Sequence, residues 1–140
     1  MLDLKAKPVL VIGLGSGVTA GAALAHAQTN VEAVEISPEV VQAAALFRHA
    51  NGDALGHPRL RVLVADGRNR LRLTSKRYDV VISEPSNPWM AGVSSLFTRD
   101  FFRMARTRLA PGGLFCQWAH VYNLSPADLK TVVASFADAF

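Results

Sequence analysis

Short, nearly unbroken apolar runs alternate along this chain with stretches whose apolar residues recur at helical spacing. Val9-Leu10-Val11-Ile12, Val31-Glu32-Ala33-Val34, Leu60-Arg61-Val62-Leu63-Val64, Asp79-Val80-Val81-Ile82-Ser83 and Leu114-Phe115-Cys116-Gln117-Trp118 read as strands. Runs this continuous suit strands covered on both faces, and their alternation with helices argues for parallel βαβ units rather than a sandwich. Residues 18–27 are alanine-rich and predict the first helix. Ser37-Pro38 places an N-cap and a first-turn proline, with Val40, Ala44 and Phe47 following at helical spacing. Residues 51–58 read as a loop, and a short element is expected at residues 68–73. Thr98 caps a helix carrying Phe101, Met104, Ala105 and Leu109, which Pro111-Gly112-Gly113 ends before the fifth strand. Ser125-Pro126-Ala127-Asp128 opens a last helix with the stripe Leu129, Val132, Val133, Phe136 and Phe140. The expected fold is α/β, a doubly wound and mostly parallel sheet of order 3-2-1-4-5 with right-handed crossovers.

Composition narrows the function classes. The chain has 140 residues, half of them hydrophobic and 19% charged, which excludes disorder and fits one domain over residues 1–140. A single cysteine, Cys116, excludes an internal disulfide. His26, His49, His57 and His120 are scattered without zinc spacing, so no metal is expected. The start of the chain lacks a charged segment followed by an apolar one, so a cytoplasmic setting is expected. Residues 8–31 carry no formal charge, but their glycines and strand-then-helix pattern argue against a membrane span. The net charge of +4 is local: Arg59, Arg61, Arg68, Arg70, Arg72, Lys76 and Arg77 fall within nineteen residues holding one acid, Asp66. Arg99, Arg103, Arg106 and Arg108 form a second cluster. No aromatic residues are interleaved as stacking platforms, so a solvated face is preferred over nucleic-acid contact.

The chemistry lies at the strand ends, where open α/β sheets bind ligands. Gly13-Leu14-Gly15-Ser16-Gly17 follows the first strand. Its glycines permit a tight turn and close backbone approach, and a dinucleotide fingerprint is disfavoured because Val18 stands where the last glycine belongs. Glu35 ends the second strand, the place for a carboxylate that accepts both ribose hydroxyl protons. Asp66-Gly67 ends the third; Asp66 either accepts from an adenine amino group or merely forms a turn. Glu84 ends the fourth and either takes a proton from an amine or caps the Ser86-Asn87 turn. Trp89 and Met90 line an acceptor pocket or belong to the core, and Gln117 and Trp118 carry the same two readings.

These residues resemble the spermidine synthase (polyamine aminopropyltransferase) family, in the branch often fused to membrane segments. The resemblance rests on Val11-Ile12-Gly13-Leu14-Gly15-Ser16-Gly17, Val34-Glu35-Ile36, Asp66-Gly67, Tyr78-Asp79-Val80-Val81-Ile82, Ser95-Leu96-Phe97-Thr98 and Leu109-Ala110-Pro111-Gly112-Gly113. Its most specific part is Ser83-Glu84-Pro85-Ser86-Asn87-Pro88-Trp89. It implies an S-adenosylmethionine-dependent methyltransferase type of fold lacking its last strands, within a longer protein. It implies aminopropyl transfer from decarboxylated S-adenosylmethionine to putrescine or a related amine. Gly13, Gly15, Ser16, Gly17, Glu35, Asp66 and Gly67 would bind the nucleoside, Glu84 would act as catalytic base, and Asn87, Trp89 and Gln117 would face the substrate. Ser16 and Asn87 stand where the family has aspartates, which makes ordinary S-adenosylmethionine more acceptable and removes one counter-charge from a cationic acceptor. The resemblance also implies a homodimer. The alternatives are a methyltransferase and a non-catalytic nucleoside-binding domain.

Overall fold

The computed structural model describes residues 6–86 and 92–140. Five strands, β1 (Lys7–Ile12), β2 (Thr29–Glu35), β3 (Leu60–Val64), β4 (Tyr78–Ser83) and β5 (Leu109–Gln117), form one sheet of order β3-β2-β1-β4-β5. Every neighbouring pair is parallel, as the apolar runs predict. Helices α1 (Val18–Leu24), α2 (Pro38–Ala44), α3 (Arg48–Asn51), α4 (Gly67–Leu73), α5 (Arg99–Thr107) and α6 (Pro126–Ala137) complete the fold.

Alternate residues of each buried strand feed two cores. Leu10, Ile12, Val34 and Val81 point to one face and pack with Leu71 of α4 and Phe101, Phe102 and Ala105 of α5. Val9, Val11, Val31 and Ala33 point to the other and pack with Ala20 and Leu24 of α1 and Ala44 of α2. The first core is aromatic where it meets α6. Phe136 lies edge-on to Phe102 at 5.3 Å, and Phe140 stacks on Phe115 at 5.1 Å. The last helix carries the expected capping box between Ser125 and Asp128, but Val133 of its stripe is exposed.

Three elements differ from expectation. α1 stops at Leu24 rather than residue 27, because the chain must turn back to begin β2 at Thr29. Thr29 Oγ1 donates to the Ala23 and His26 carbonyls there, and the Arg59 guanidinium takes the carbonyls of Leu24, His26, Ala27 and Thr29. Residues 51–58 are not simply a loop: α3 ends at Asn51 and a 3-10 turn covers Ala54–Gly56. β5 begins at Leu109, five residues early. Leu109 pairs with Tyr78, a bulge absorbs Pro111-Gly112-Gly113, and regular pairing resumes at Leu114. Proline is tolerated at such an irregularity of an edge strand.

Candidate functional site

A cavity of about 860 Å³ runs along the carboxyl ends of the strands. Its lining includes Gly13, Gly15, Glu35, Asp66, Gly67 and Glu84, so most of the polar positions singled out from the sequence share one space. Backbone bonds just beyond the strands hold these ends in register. Gly13 N–H donates to Val34 O, Ala65 N–H to Glu35 O, Glu84 N–H to Ile12 O and Trp118 N–H to Ser83 O. Adjacent strands lie about 4.8 Å apart, so Asp66, Glu35, Gly13, Glu84 and Trp118 are stations along one groove.

One part of the cavity centres on Glu35, which is buried. One carboxylate oxygen accepts from the Leu14 N–H at 2.9 Å, and the other from the Ser37 N–H at 3.1 Å. Glu35 thus fixes both the glycine loop and the start of α2, and each oxygen keeps lone-pair capacity toward the cavity. Asp66 Oδ1 caps α4 through the Asn69 N–H at 2.7 Å, and the residue also lines the cavity. Gly13, at φ +89°, passes so close to β4 that a Cβ would sit 2.5 Å from the Glu84 carbonyl oxygen.

Ser16 and Gly17 do not line the cavity. The Ser16 carbonyl faces inward and accepts from Asn51 Nδ2 at 2.9 Å. Asn51, buried, also donates to Ala44 O and accepts from the Ala54 N–H. It props the glycine loop from below, and α1 presses on it so closely that a Cβ on Gly21 would collide with the Asn51 carbonyl. Sequence reasoning missed this residue because a single asparagine in an apparent loop carries no periodic signal.

In the second half, Glu84 is half-buried, and its Oε1 accepts from the Thr19 hydroxyl at 2.9 Å. Trp118 and His120 line this end; Trp118 Nε1–H donates to His120 Nε2 at 3.3 Å, and the Tyr122 ring lies 5.1 Å from that of His120. Gln117 is not in the lining, and its amide donates to Trp118 O. Its Oε1 is buried and finds no hydrogen-bond partner among the described residues, and the same holds for the Ser83 hydroxyl on the paired strand. Asn87 and Trp89 lie outside the described residues.

The sequence profile of the spermine/spermidine synthase domain matches residues 1–140. The chain belongs to this family. It is 35% identical over 136 residues to polyamine aminopropyltransferase 2 of Streptomyces coelicolor, covering 91% of this chain and 24% of that protein. It is 29% identical over 121 residues to the spermidine synthase of Dictyostelium discoideum, covering 82% of this chain and 42% of that one. The spermidine synthase structure from Thermotoga maritima superposes with a TM-score of 0.83 at 23% identity, over 97% of this chain and 46% of that chain. An S-adenosylmethionine-dependent methyltransferase from Agrobacterium tumefaciens superposes at 0.73 and 19% identity, over 94% and 44% of the two chains. The fold is therefore the one that spermidine synthases and these methyltransferases share. The family member described here spans between about a quarter and a half of the length of such relatives.

Most of the arginines that give this family member its charge, though exposed or half-buried, tie separate parts of the fold together. Arg68 reaches Ser95 O and Thr98 Oγ1, Arg77 reaches Leu109 O, Arg106 reaches Ala139 O, and Arg108 reaches Leu71 O and Arg72 O. Arg70 and Lys76 pair with Glu32, and Arg99 and Arg103 with Asp138. Among the described residues no group of three metal-ligating side chains occurs, and no helix is long and apolar enough to cross a membrane.

Proposed function

We propose that this cavity binds an adenosine-sulfonium co-substrate and transfers its aminopropyl group to an amine such as putrescine, in the cytoplasm. The observation that carries this reading is the convergence of Gly13, Gly15, Glu35, Asp66, Gly67 and Glu84 on one groove in a chain of this family. Glu35 accepts the ribose hydroxyls, Asp66 accepts from the adenine amino group, and the glycine loop lets the nucleoside lie against the backbone. The sulfonium then lies over β1 and β4, beside Glu84.

The chemistry follows from charge and distance. The amine nitrogen attacks the carbon attached to the sulfonium, the carbon–sulfur bond breaks, and its electron pair stays on sulfur, which leaves as the neutral thioether of methylthioadenosine. The nitrogen becomes positive as the new bond forms, and Glu84 takes its surplus proton. An alkyl ammonium has a pKa of about 10.4, so a nearby carboxylate that holds the amine and accepts its proton is the help needed at neutral pH. Most of the acceleration is positioning of two reactants on a rigid sheet edge. Trp118 and His120 supply an aromatic wall on the acceptor side. Asn87 and Trp89 complete the acceptor side in this reading.

Calorimetric titration with methylthioadenosine, decarboxylated S-adenosylmethionine and S-adenosylmethionine, repeated on Glu35→Ala, tests it. Tighter binding of the decarboxylated form, abolished in Glu35→Ala, is the expected result. Preference for the carboxylated form would move the assignment to methyl transfer.

A further inference from the structure

The hydroxyl of Thr19 is the structure's least expected contact at the site. A threonine inside a helix commonly bonds back to a carbonyl four residues earlier. Thr19, the second residue of α1, instead donates across the fold to Glu84 Oε1, 65 positions away in sequence, at 2.9 Å. The direction is fixed by chemistry, because an ionised carboxylate only accepts.

Three contacts converge on Glu84. Its N–H is held by Ile12 O, its carbonyl lies against Gly13, and one of its two carboxylate oxygens is held by Thr19. The backbone contacts fix where the residue begins and the Thr19 contact fixes where its carboxylate ends. The other oxygen, Oε2, has no hydrogen-bond partner among the described residues. A glutamate has one more rotatable bond than an aspartate, so an unanchored Glu84 would sample positions that a proton acceptor cannot use. Thr19 also sits two residues beyond the glycine loop, so the helix that anchors the carboxylate is the one the loop leads into.

We propose that Thr19 is a positioning residue for Glu84, holding Oε1 so that Oε2 is presented to the acceptor amine. The inference rests on the amine-transfer reading given above. In steady-state assays with decarboxylated S-adenosylmethionine and putrescine, Thr19→Val keeps the shape and removes the donor. The expected result is a kcat about tenfold lower with the KM for the nucleoside unchanged, and Thr19→Ser restores kcat to near the original value. A binding measurement stands beside the kinetics: calorimetric titration of putrescine into the chain saturated with methylthioadenosine. Glu84→Gln should abolish amine binding, Thr19→Val should weaken it severalfold, and Thr19→Ser should retain it. Amine binding and turnover that Glu84→Gln removes but Thr19→Val leaves unchanged would overturn the role of Thr19 alone. A chain that binds methylthioadenosine but never an amine would remove the amine-transfer reading, and this inference with it. A drop in nucleoside affinity equal to the loss of kcat in Thr19→Val would assign the hydroxyl to loop structure instead.

Discussion

Glu32 and Glu35 lie three residues apart on β2, both buried, yet they are held by opposite kinds of partner. Glu32 points to the face covered by α4 and α5, where all its partners are side chains. Arg70 Nε lies 2.6 Å from one oxygen, the Tyr78 hydroxyl 2.9 Å from the same oxygen, and Lys76 Nζ 3.0 Å from the other. Burial pushes this carboxyl up, but the hydrogen bonds from Arg70, Lys76 and Tyr78 and the Arg70 charge outweigh it and hold the pKa at about 2. Burial, and after it the same contact with Glu32, raises the pKa of the Tyr78 hydroxyl. Glu35 is held by two backbone N–H groups that occupy one position on each oxygen. A carboxylate surrounded by cations is a structural pin; one held by backbone alone keeps charge and lone pairs for a ligand. In the proposed function it is the partners, and not burial, that separate a structural Glu32 from a ligand-binding Glu35.

The comparison breaks first at Glu32. Glu32→Gln should lower the unfolding free energy by about 3 kcal/mol, because Arg70 is left largely buried without its counter-ion. Urea denaturation checks this, and methylthioadenosine affinity of the folded protein should not change. The pH dependence has a definite sign. The folded pKa of about 2 lies below the ordinary 4.5, so the stabilisation is fully present above about pH 4.5 and is lost as pH falls toward about pH 2. At 1.36 kcal/mol per unit this is again about 3 kcal/mol, and the difference between the parent and Glu32→Gln should vanish near the acid end.

Glu35→Gln should show the reverse profile. Loss of a charged acceptor for the ribose should weaken methylthioadenosine binding by about 2 kcal/mol, roughly thirtyfold in Kd, with a stability loss of only about 1 kcal/mol. Asn51→Ala sharpens the contrast, since Asn51 touches the loop from beneath and not the cavity. It leaves the Ser16 and Ala44 carbonyls and the Ala54 N–H without their partner, for a stability loss of about 1.5 kcal/mol, and nucleoside binding should fall with it. The smallest effect is expected at Arg59, whose guanidinium serves four carbonyls and the Thr29 hydroxyl, all away from the cavity. Arg59→Ala should lower the thermal midpoint by the equivalent of about 1 kcal/mol and leave nucleoside affinity unchanged.

The sheet order was legible because each strand is a block of β-branched and aliphatic residues bounded by glycine, proline or an acid. The positions of Glu35, Asp66 and Glu84 on one groove follow from that order alone, since the carboxyl ends of parallel strands point the same way. Local signals also placed the caps at Ser37, Thr98 and Ser125. The early start of β5 was hidden, because Pro111 and two glycines look like a stop and only pairing with Tyr78 reveals a bulge. Asn51 and Thr19 were hidden for a different reason: the site partner of each lies 35 and 65 residues away, and nothing in their own neighbourhoods announces that contact. The arginine clusters read as a solvated face, and most of them are exposed, but no local signal indicated that most of these side chains also reach backbone carbonyls or acids elsewhere in the fold.

The prop beneath the glycine loop bears on how portable such a loop is. Gly13-Leu14-Gly15-Ser16-Gly17 looks like a self-sufficient cassette, a short motif that an engineer would splice onto another strand and helix. Here its shape is underwritten by an amide that arrives after two further helices. A graft taken between the first strand and the first helix would leave that amide behind, together with the glycine at position 21 that makes room for it. The recipient would inherit the letters of the motif without its foundation, and the smallest transplantable unit reaches at least as far as Ala54.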